Sequence, residues 1–125
     1  MRPHEGSRFA RGVELLNHAE FYDAHEVLED VWRTAQPPQR RFLQGLIQVA
    51  VAFHHRSHGN RIGFRSLLER AIGNLSLYPA EHAGVDLAAL LENLAQWRAA
   101  LDDGAPNPSL PYVKPLSRLD DRFLL

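Results

Sequence analysis

Apolar residues recur along this chain with the period of an amphipathic α-helix. The period predicts helices at about residues 7–18, 23–35, 38–59, 61–77 and 86–101. No stretch alternates apolar and polar residues in the way that a half-buried β-strand does. The pattern therefore predicts an all-α fold, a compact bundle of about five helices with short connections.

The third predicted helix is the most apolar of the five. Its apolar residues cover most of the helix circumference, which is typical of a helix that is buried on nearly all sides. They are Phe42, Leu43, Leu46, Ile47, Val49, Ala50, Val51 and Phe53. We therefore expect this segment to be the central helix of the bundle.

Residues that begin and end helices divide the chain into these segments. Asp23, followed three residues later by Glu26, has the spacing of a capping box and predicts the start of the second helix. Gly59 and Asn60 form a helix stop followed by a helix start. Gly104 ends the fifth helix in the same way.

The last part of the chain, residues 105–125, is rich in proline and has no helical period. The sequence therefore predicts a helical bundle domain of residues 1–104 and an extended proline-rich C-terminal tail of residues 105–125. The tail also contains apolar residues, so we expect part of it to lie along the bundle as a strap. These residues are Leu110, Tyr112, Val113 and Leu116.

Composition narrows the classes of function. A net charge of −1 gives no general attraction to nucleic acid or to an anionic membrane. The absence of cysteine excludes a thiolate nucleophile and a cysteine-ligated zinc site. No apolar run is long enough to span a bilayer, and the first residues lack the apolar core of a signal peptide. We therefore expect a cytoplasmic protein with neither nucleic acid nor membrane as a partner.

Polar residues suited to metal binding or proton transfer lie on the second helix. His25, Glu29 and Trp32 are spaced i, i+4 and i+7, so they share one helix face. The positive end of the helix dipole favours the neutral imidazole at His25, which can then act as a ligand or a base. Trp32 adds an apolar wall with one N–H donor.

The third helix carries a second polar stripe. Gln44, Gln48 and His55 are spaced i, i+4 and i+11, so they project from one side of a helix that is otherwise apolar. If this side faces the second helix, the two stripes enclose a pocket. We expect the pocket to be lined by Tyr22, His25, Glu29, Trp32, Gln44, Gln48 and His55.

The sequence around these residues resembles a known family. Three blocks are similar to a small bacterial and archaeal family that is named only domain of unknown function 309. The blocks are residues 21–32, 42–52 and 55–60. The hallmark of the family is His-x-x-x-Glu-x-x-Trp or Tyr, which His25, Glu29 and Trp32 match. The resemblance covers roughly residues 9–78 and implies a small all-helical fold with a suspected metal-binding motif, without a substrate.

One hypothesis is a divalent metal site with His25, Glu29 and His55 as ligands. Nitrogen and oxygen ligands without sulfur suit zinc, manganese or iron. A catalytic metal needs about three protein ligands and one open position for water. The second helix supplies only two ligands, so the hypothesis depends on His55 from the third helix.

The same residues support two other hypotheses. His25, Glu29 and the two glutamines can form a buried hydrogen-bond network that fixes the register of the helices. The protein would then be a structural or interaction module, and its apolar central helix would favour a homodimer. Proton-transfer or small-ligand chemistry without a metal also fits a histidine and a carboxylate beside an aromatic wall. Whether the protein is an enzyme stays open.

Overall fold

Five α-helices and one short β-hairpin make up residues 7–124, the part of the chain that the computed structural model describes. This confirms the predicted all-α fold of about five helices. The elements are α1 (Arg8–Asn17), α2 (Phe21–Thr34), α3 (Gln39–Ser57), α4 (Arg61–Leu75), β1 (Glu81–His82), β2 (Val85–Asp86), α5 (Leu87–Asp103) and a short 3₁₀ turn (Arg122–Leu124). Residues 1–6 and 125, which belong to the predicted domain and tail, lie outside the described residues.

Helix α3 lies between α2 and α4 and packs against both. Of the eight apolar residues that predicted its burial, six are buried, and Ile47 and Val51 are partly exposed. Helix α1 packs on α2, and α5 packs on α4, so the other helices extend outward from this centre. Rings from several elements meet at Phe53, which makes edge-on contacts with Phe64 and Trp97.

The start of α2 differs from the predicted start. The helix begins at Phe21, and its N-cap residue Glu20 makes no side-chain capping hydrogen bond. The predicted capping box at Asp23 is therefore wrong, since Asp23 already lies in the first turn. The reason is tertiary packing: Phe21 is buried, with its ring centroid 5.7 Å from that of Phe53, and this contact extends the helix toward its N-terminus.

Other predicted helix boundaries are confirmed. The side chain of Asn60 caps α4 by accepting a hydrogen bond of 2.8 Å from the backbone N–H of Gly63. Gly59, just before this cap, has a φ of +75°. Gly104 ends α5 with a φ of +68°, a left-handed conformation that glycine adopts without strain.

The β-hairpin was not predicted. Strands β1 and β2 have two residues each, too few to show an alternating pattern. Ala83 and Gly84, both with positive φ, form the two-residue turn that joins them. Val85 of β2 is fully buried, so the hairpin closes one end of the core.

The segment that follows α5 is held by hydrogen bonds to three other elements. The Asn17 side chain of α1 donates to the carbonyl of Val113 at 2.9 Å and accepts from its N–H at 2.7 Å. The indole N–H of Trp97 in α5 donates to the carbonyl of Ser109 at 2.9 Å. The N–H of Leu116 donates to the carbonyl of Gly84 in the hairpin turn.

Only one of the four apolar residues expected to hold this segment on the bundle is buried. Val113 is fully buried, whereas Leu110, Tyr112 and Leu116 are exposed. Hydrogen bonds and the buried side chains of Val113 and Leu119 therefore hold the segment on the bundle, and the predicted domain boundary at residue 104 stays a prediction. Within residues 7–124, no helix is both long enough and apolar enough to cross a membrane.

Candidate functional site

His25 and Glu29 lie one turn apart on the surface of α2. Nε2 of His25 is 3.4 Å from Oε2 of Glu29, and its Nδ1 is 3.3 Å from the carbonyl oxygen of Tyr22. The other oxygen of Glu29 accepts a hydrogen bond of 3.2 Å from Arg33. The Glu29 carboxylate is therefore shared between an imidazole and a guanidinium group.

These two residues belong to an ion network on the surface. Arg33 also pairs with Asp30 at 2.6 Å, and Arg8 of α1 pairs with Asp30 at 2.8 Å. No polar or charged residue in the described part of the chain is fully buried. The buried network expected around His25 and Glu29 is therefore a partly exposed network, and exposed ion pairs contribute little to stability.

The second polar stripe does not face this network. Oε1 of Gln48 accepts a hydrogen bond of 2.8 Å from Asn74 of α4. Nδ1 of His55 lies 3.3 Å from the side-chain amide nitrogen of Asn60, where α3 connects to α4. Gln48 and His55 therefore lie on the side of α3 that meets α4, and the expectation that they face α2 is wrong.

The donor set does not fit a divalent metal as the side chains stand. Among residues 7–124, no three histidine, aspartate or glutamate side chains are placed to hold a metal ion. His25 and Glu29 supply two donors, and His55 lies elsewhere. Because a catalytic metal needs about three protein ligands, a zinc, manganese or iron site at these residues stays a prediction.

His54, and not His55, lies on the side of α3 that meets α2. Its ring centroid is 5.6 Å from that of Tyr22 and 4.3 Å from that of His58. Tyr22 is equally close to His25, so four rings cluster where α2 begins and α3 ends. Burial lowers the pKa of His54, and the neighbouring imidazoles of His58, His55 and His25 lower it further.

A pocket opens at the other end of the α2–α3 pair, where α2 ends and α3 begins. We call it the Trp32 pocket. Its volume is about 520 Å³, within the roughly 300–1,000 Å³ that is typical of small-molecule sites. Its lining residues are Trp32, Pro37, Pro38, Arg40, Arg41, Gln44, Leu77 and Tyr78.

Trp32 and Arg40 form a stack in this pocket. The Cζ atom of Arg40 lies 4.0 Å from the centroid of the Trp32 ring, a cation–π contact worth about 0.5–1 kcal/mol at an exposed site. The indole nitrogen Nε1 of Trp32 is buried and has no hydrogen-bond partner within residues 7–124. An unpartnered buried donor costs about 1–3 kcal/mol, so the motif tryptophan lies in an energetically unusual position.

Tyr78 forms a fixed wall of the pocket. Its hydroxyl donates a hydrogen bond to the carbonyl oxygen of Pro38, and its ring packs edge-on against Phe42 with centroids 5.7 Å apart. Leu77 beside it is 62% exposed, which leaves an apolar edge open to solvent. The connection after α4 thereby holds an aromatic and an aliphatic surface against the first turns of α3.

The electrostatic character of the pocket is positive. Arg40 and Arg41 are exposed, and none of the eight lining residues carries a carboxylate. The salt bridges formed within residues 7–124 involve neither arginine. The N-terminal turn of α3 also contains no acidic residue. The pocket therefore favours a negatively charged ligand.

Sequence reasoning found only part of this pocket. It singled out Trp32 and Gln44, but gave no role to Arg40, Arg41 or Tyr78. The two arginines lie two and three residues after Pro38, a short distance along the chain from Trp32, and this proximity is a signal that could have been used. No periodicity links Tyr78 to them, because it reaches the pocket only through the packing of α4 on α3.

The fold and the pocket define a small helical domain that carries its distinctive residues on α2 and α3. The family model described as "Domain of unknown function (DUF309)" matches residues 9–67 of this chain. The match confirms the resemblance to that family. It includes Trp32, Arg40 and Gln44, but ends before Tyr78.

Two curated relatives give no functional name. Over 111 residues the chain is 29% identical to an uncharacterized protein of Aquifex aeolicus (strain VF5), in an alignment that covers 82% of this chain and 33% of the relative. Over 75 residues it is 35% identical to the uncharacterized protein YpuF of Bacillus subtilis (strain 168), with 59% of this chain and 41% of the relative covered. The chain thus spans less than half the length of these relatives.

Proposed function

We propose that this domain binds a small organic anion in the Trp32 pocket. One observation carries the proposal: two guanidinium groups, Arg40 and Arg41, border a pocket whose other walls are mainly apolar or aromatic and hold no carboxylate. A ligand with an anionic head and an apolar body would place its head on the arginines, since charge-assisted hydrogen bonds are the strong ones. Its body would lie against the aromatic and proline walls.

The start of α3 adds to this preference. The N-cap residue Pro38 makes no side-chain capping hydrogen bond, and the backbone N–H of Arg40 donates to the carbonyl of Gln36. The positive end of the α3 dipole still lies at this end of the helix. Arg40 and Arg41 are the second and third residues of α3. The pocket therefore combines two full positive charges with a weaker, fixed one.

Binding can be followed at the two tryptophans by NMR. Benzoate is a suitable probe, because it has one carboxylate and one ring. We expect the indole N–H signal of Trp32 to shift saturably with benzoate, while that of Trp97, which is bonded to Ser109, stays in place. The double variant Arg40→Ala/Arg41→Ala should weaken binding by about tenfold or more, since a hydrogen bond to a charged group is worth about 1.5–3 kcal/mol.

The control variant is Arg70→Ala, which removes an exposed arginine from α4, outside the pocket. It should bind benzoate as the unchanged protein does. If benzoate, hexanoate and inorganic phosphate all fail to shift the Trp32 signal, the proposal is wrong. Equal affinity in the double variant and in Arg70→Ala would also contradict it, because the two pocket arginines would then contribute no more than an arginine outside the pocket.

A further inference from the structure

We infer that the anion bound in the Trp32 pocket is a carboxylate, recognised by Arg40 while Trp32 holds the guanidinium group of Arg40 in a fixed plane. The inference rests on the proposed function and adds to it the chemical class of the ligand. Arg40 would contact the ligand directly, whereas Trp32 is a positioning residue that acts through Arg40.

The stack between the two side chains determines which directions are available for binding. The Cζ atom of Arg40 lies over the Trp32 ring, 4.0 Å from its centroid, so the indole occupies the space on one side of the guanidinium group. The N–H donors of a guanidinium lie in its own plane and point outward from its edges. An acceptor must therefore approach edge-on, beside the Trp32 ring and toward the remaining walls of the pocket.

A carboxylate fits this approach better than a phosphate. It is planar, and its two oxygens match two parallel N–H donors of a guanidinium in one common plane. A phosphate group is tetrahedral, so two of its oxygens can match the guanidinium while the others project above and below that plane. The Trp32 ring, 4.0 Å from Cζ, leaves less room for these oxygens than for a flat carboxylate. Shape therefore favours the planar anion.

Trp32 also reduces the cost of binding. A free arginine side chain carries about 2 kcal/mol of rotamer entropy, part of which is lost when it binds a ligand. Because Arg40 is already stacked before a ligand arrives, less of this freedom remains to be lost. Within residues 7–124, Arg41 has no such stack, so its contribution should depend on charge more than on geometry.

Fluorine NMR with three matched probes tests the inference without relying on tryptophan signals. The probes are 4-fluorobenzoate, 4-fluorobenzamide and 4-fluorophenyl phosphate, which share one ring and differ in the head group. We expect the benzoate to bind about tenfold more tightly than either of the others. The variant Arg40→Lys keeps the positive charge but lacks the two parallel N–H donors of a guanidinium, so it should weaken benzoate binding about tenfold. Arg41→Lys should change benzoate binding less than threefold.

Two variants of the tryptophan complete the design. Trp32→Phe retains an aromatic face and should keep most of the preference for benzoate over phenyl phosphate. Trp32→Leu removes the stack and should lose that preference while Arg40 and Arg41 are intact. A thermal unfolding curve of each variant shows that it is folded, and Trp32→Phe remains informative if Trp32→Leu does not fold.

Each outcome bears on a different statement. If phenyl phosphate binds as tightly as benzoate, or if Arg40→Lys matches the unchanged protein, the inference is overturned and the anion pocket of the proposed function stands. Equal binding of the uncharged benzamide would overturn both the inference and the proposed function, since the negative charge would then contribute nothing. If none of the probes binds, the proposed function falls together with the inference.

Discussion

Gly45 sets how closely α3 and α4 approach each other. A Cβ atom at this position would lie 2.6 Å from Cδ2 and 2.7 Å from Cγ of Leu75. Leu75 is fully buried, so its side chain has little room to move aside. The same relation holds between Gly12 of α1 and Leu28 of α2. The lack of a side chain at these two glycines therefore allows the close contacts of α3 with α4 and of α1 with α2.

We expect Gly45→Ala to lower the free energy of unfolding by about 1–3 kcal/mol, because overpacking outweighs the better helix propensity of alanine. The matched control is Gly73→Ala in α4, where no atom in the described part of the chain lies within 4 Å of the added methyl group. That variant should be more stable than the unchanged protein by about 0.5–1 kcal/mol. Urea unfolding measures both, and a stabilising Gly45→Ala would contradict the close-approach account.

Single residues also show what a sequence can and cannot determine about a site. The spacing of His25 and Glu29 predicted their contact, because i and i+4 always meet on a helix. The same spacing argument placed Gln48 and His55 on one side of α3. It could not show which neighbouring helix that side meets. Periodicity defines the faces of one helix, whereas the partner of each face depends on how all five helices pack.

At the scale of elements, the antiparallel pair α2 and α3 has two different ends. One end carries the Trp32 pocket, and the other carries the ring cluster of Tyr22, His25, His54 and His58. The sequence predicted both helices, because each has a clear apolar period. The start of α2 and the hairpin were not, because a tertiary contact and a two-residue turn determine them.

The ring cluster should make stability depend on pH. Burial, together with the imidazoles of His58, His55 and His25, lowers the pKa of His54 in the folded state below its ordinary value of 6.5. Between these two pKa values the unfolded chain binds more protons than the folded protein does. The contribution of His54 is therefore fully present above pH 6.5 and is lost as the pH falls below it.

Comparison with His54→Gln isolates this contribution. We expect the free energy of unfolding of the unchanged protein to fall more steeply between pH 7.5 and pH 5 than that of His54→Gln. Some pH dependence should remain in the variant, because burial also lowers the pKa of His82. Urea unfolding at a series of pH values measures both curves, and parallel curves would show that His54 does not contribute.

At the scale of the whole molecule, residues 105–121 join parts of the fold that are distant in sequence. Their hydrogen bonds reach α1, α5 and the hairpin turn. The sequence predicted an extended segment on the bundle, but it could not show that Asn17 would be the anchor, since nothing in the chain marks that pairing. The homodimer hypothesis, which rests on the apolar central helix, stays a prediction.

Asn17 is the place to test how much the segment stabilises the domain. Its side chain serves both the N–H and the carbonyl of Val113, whose own side chain is fully buried. In Asn17→Ala both backbone groups lose their partner, so the free energy of unfolding should fall by about 1–3 kcal/mol. Asn107→Ala changes an exposed asparagine of the same segment and should have little effect. If both variants unfold like the unchanged protein in urea, the segment contributes nothing through Asn17.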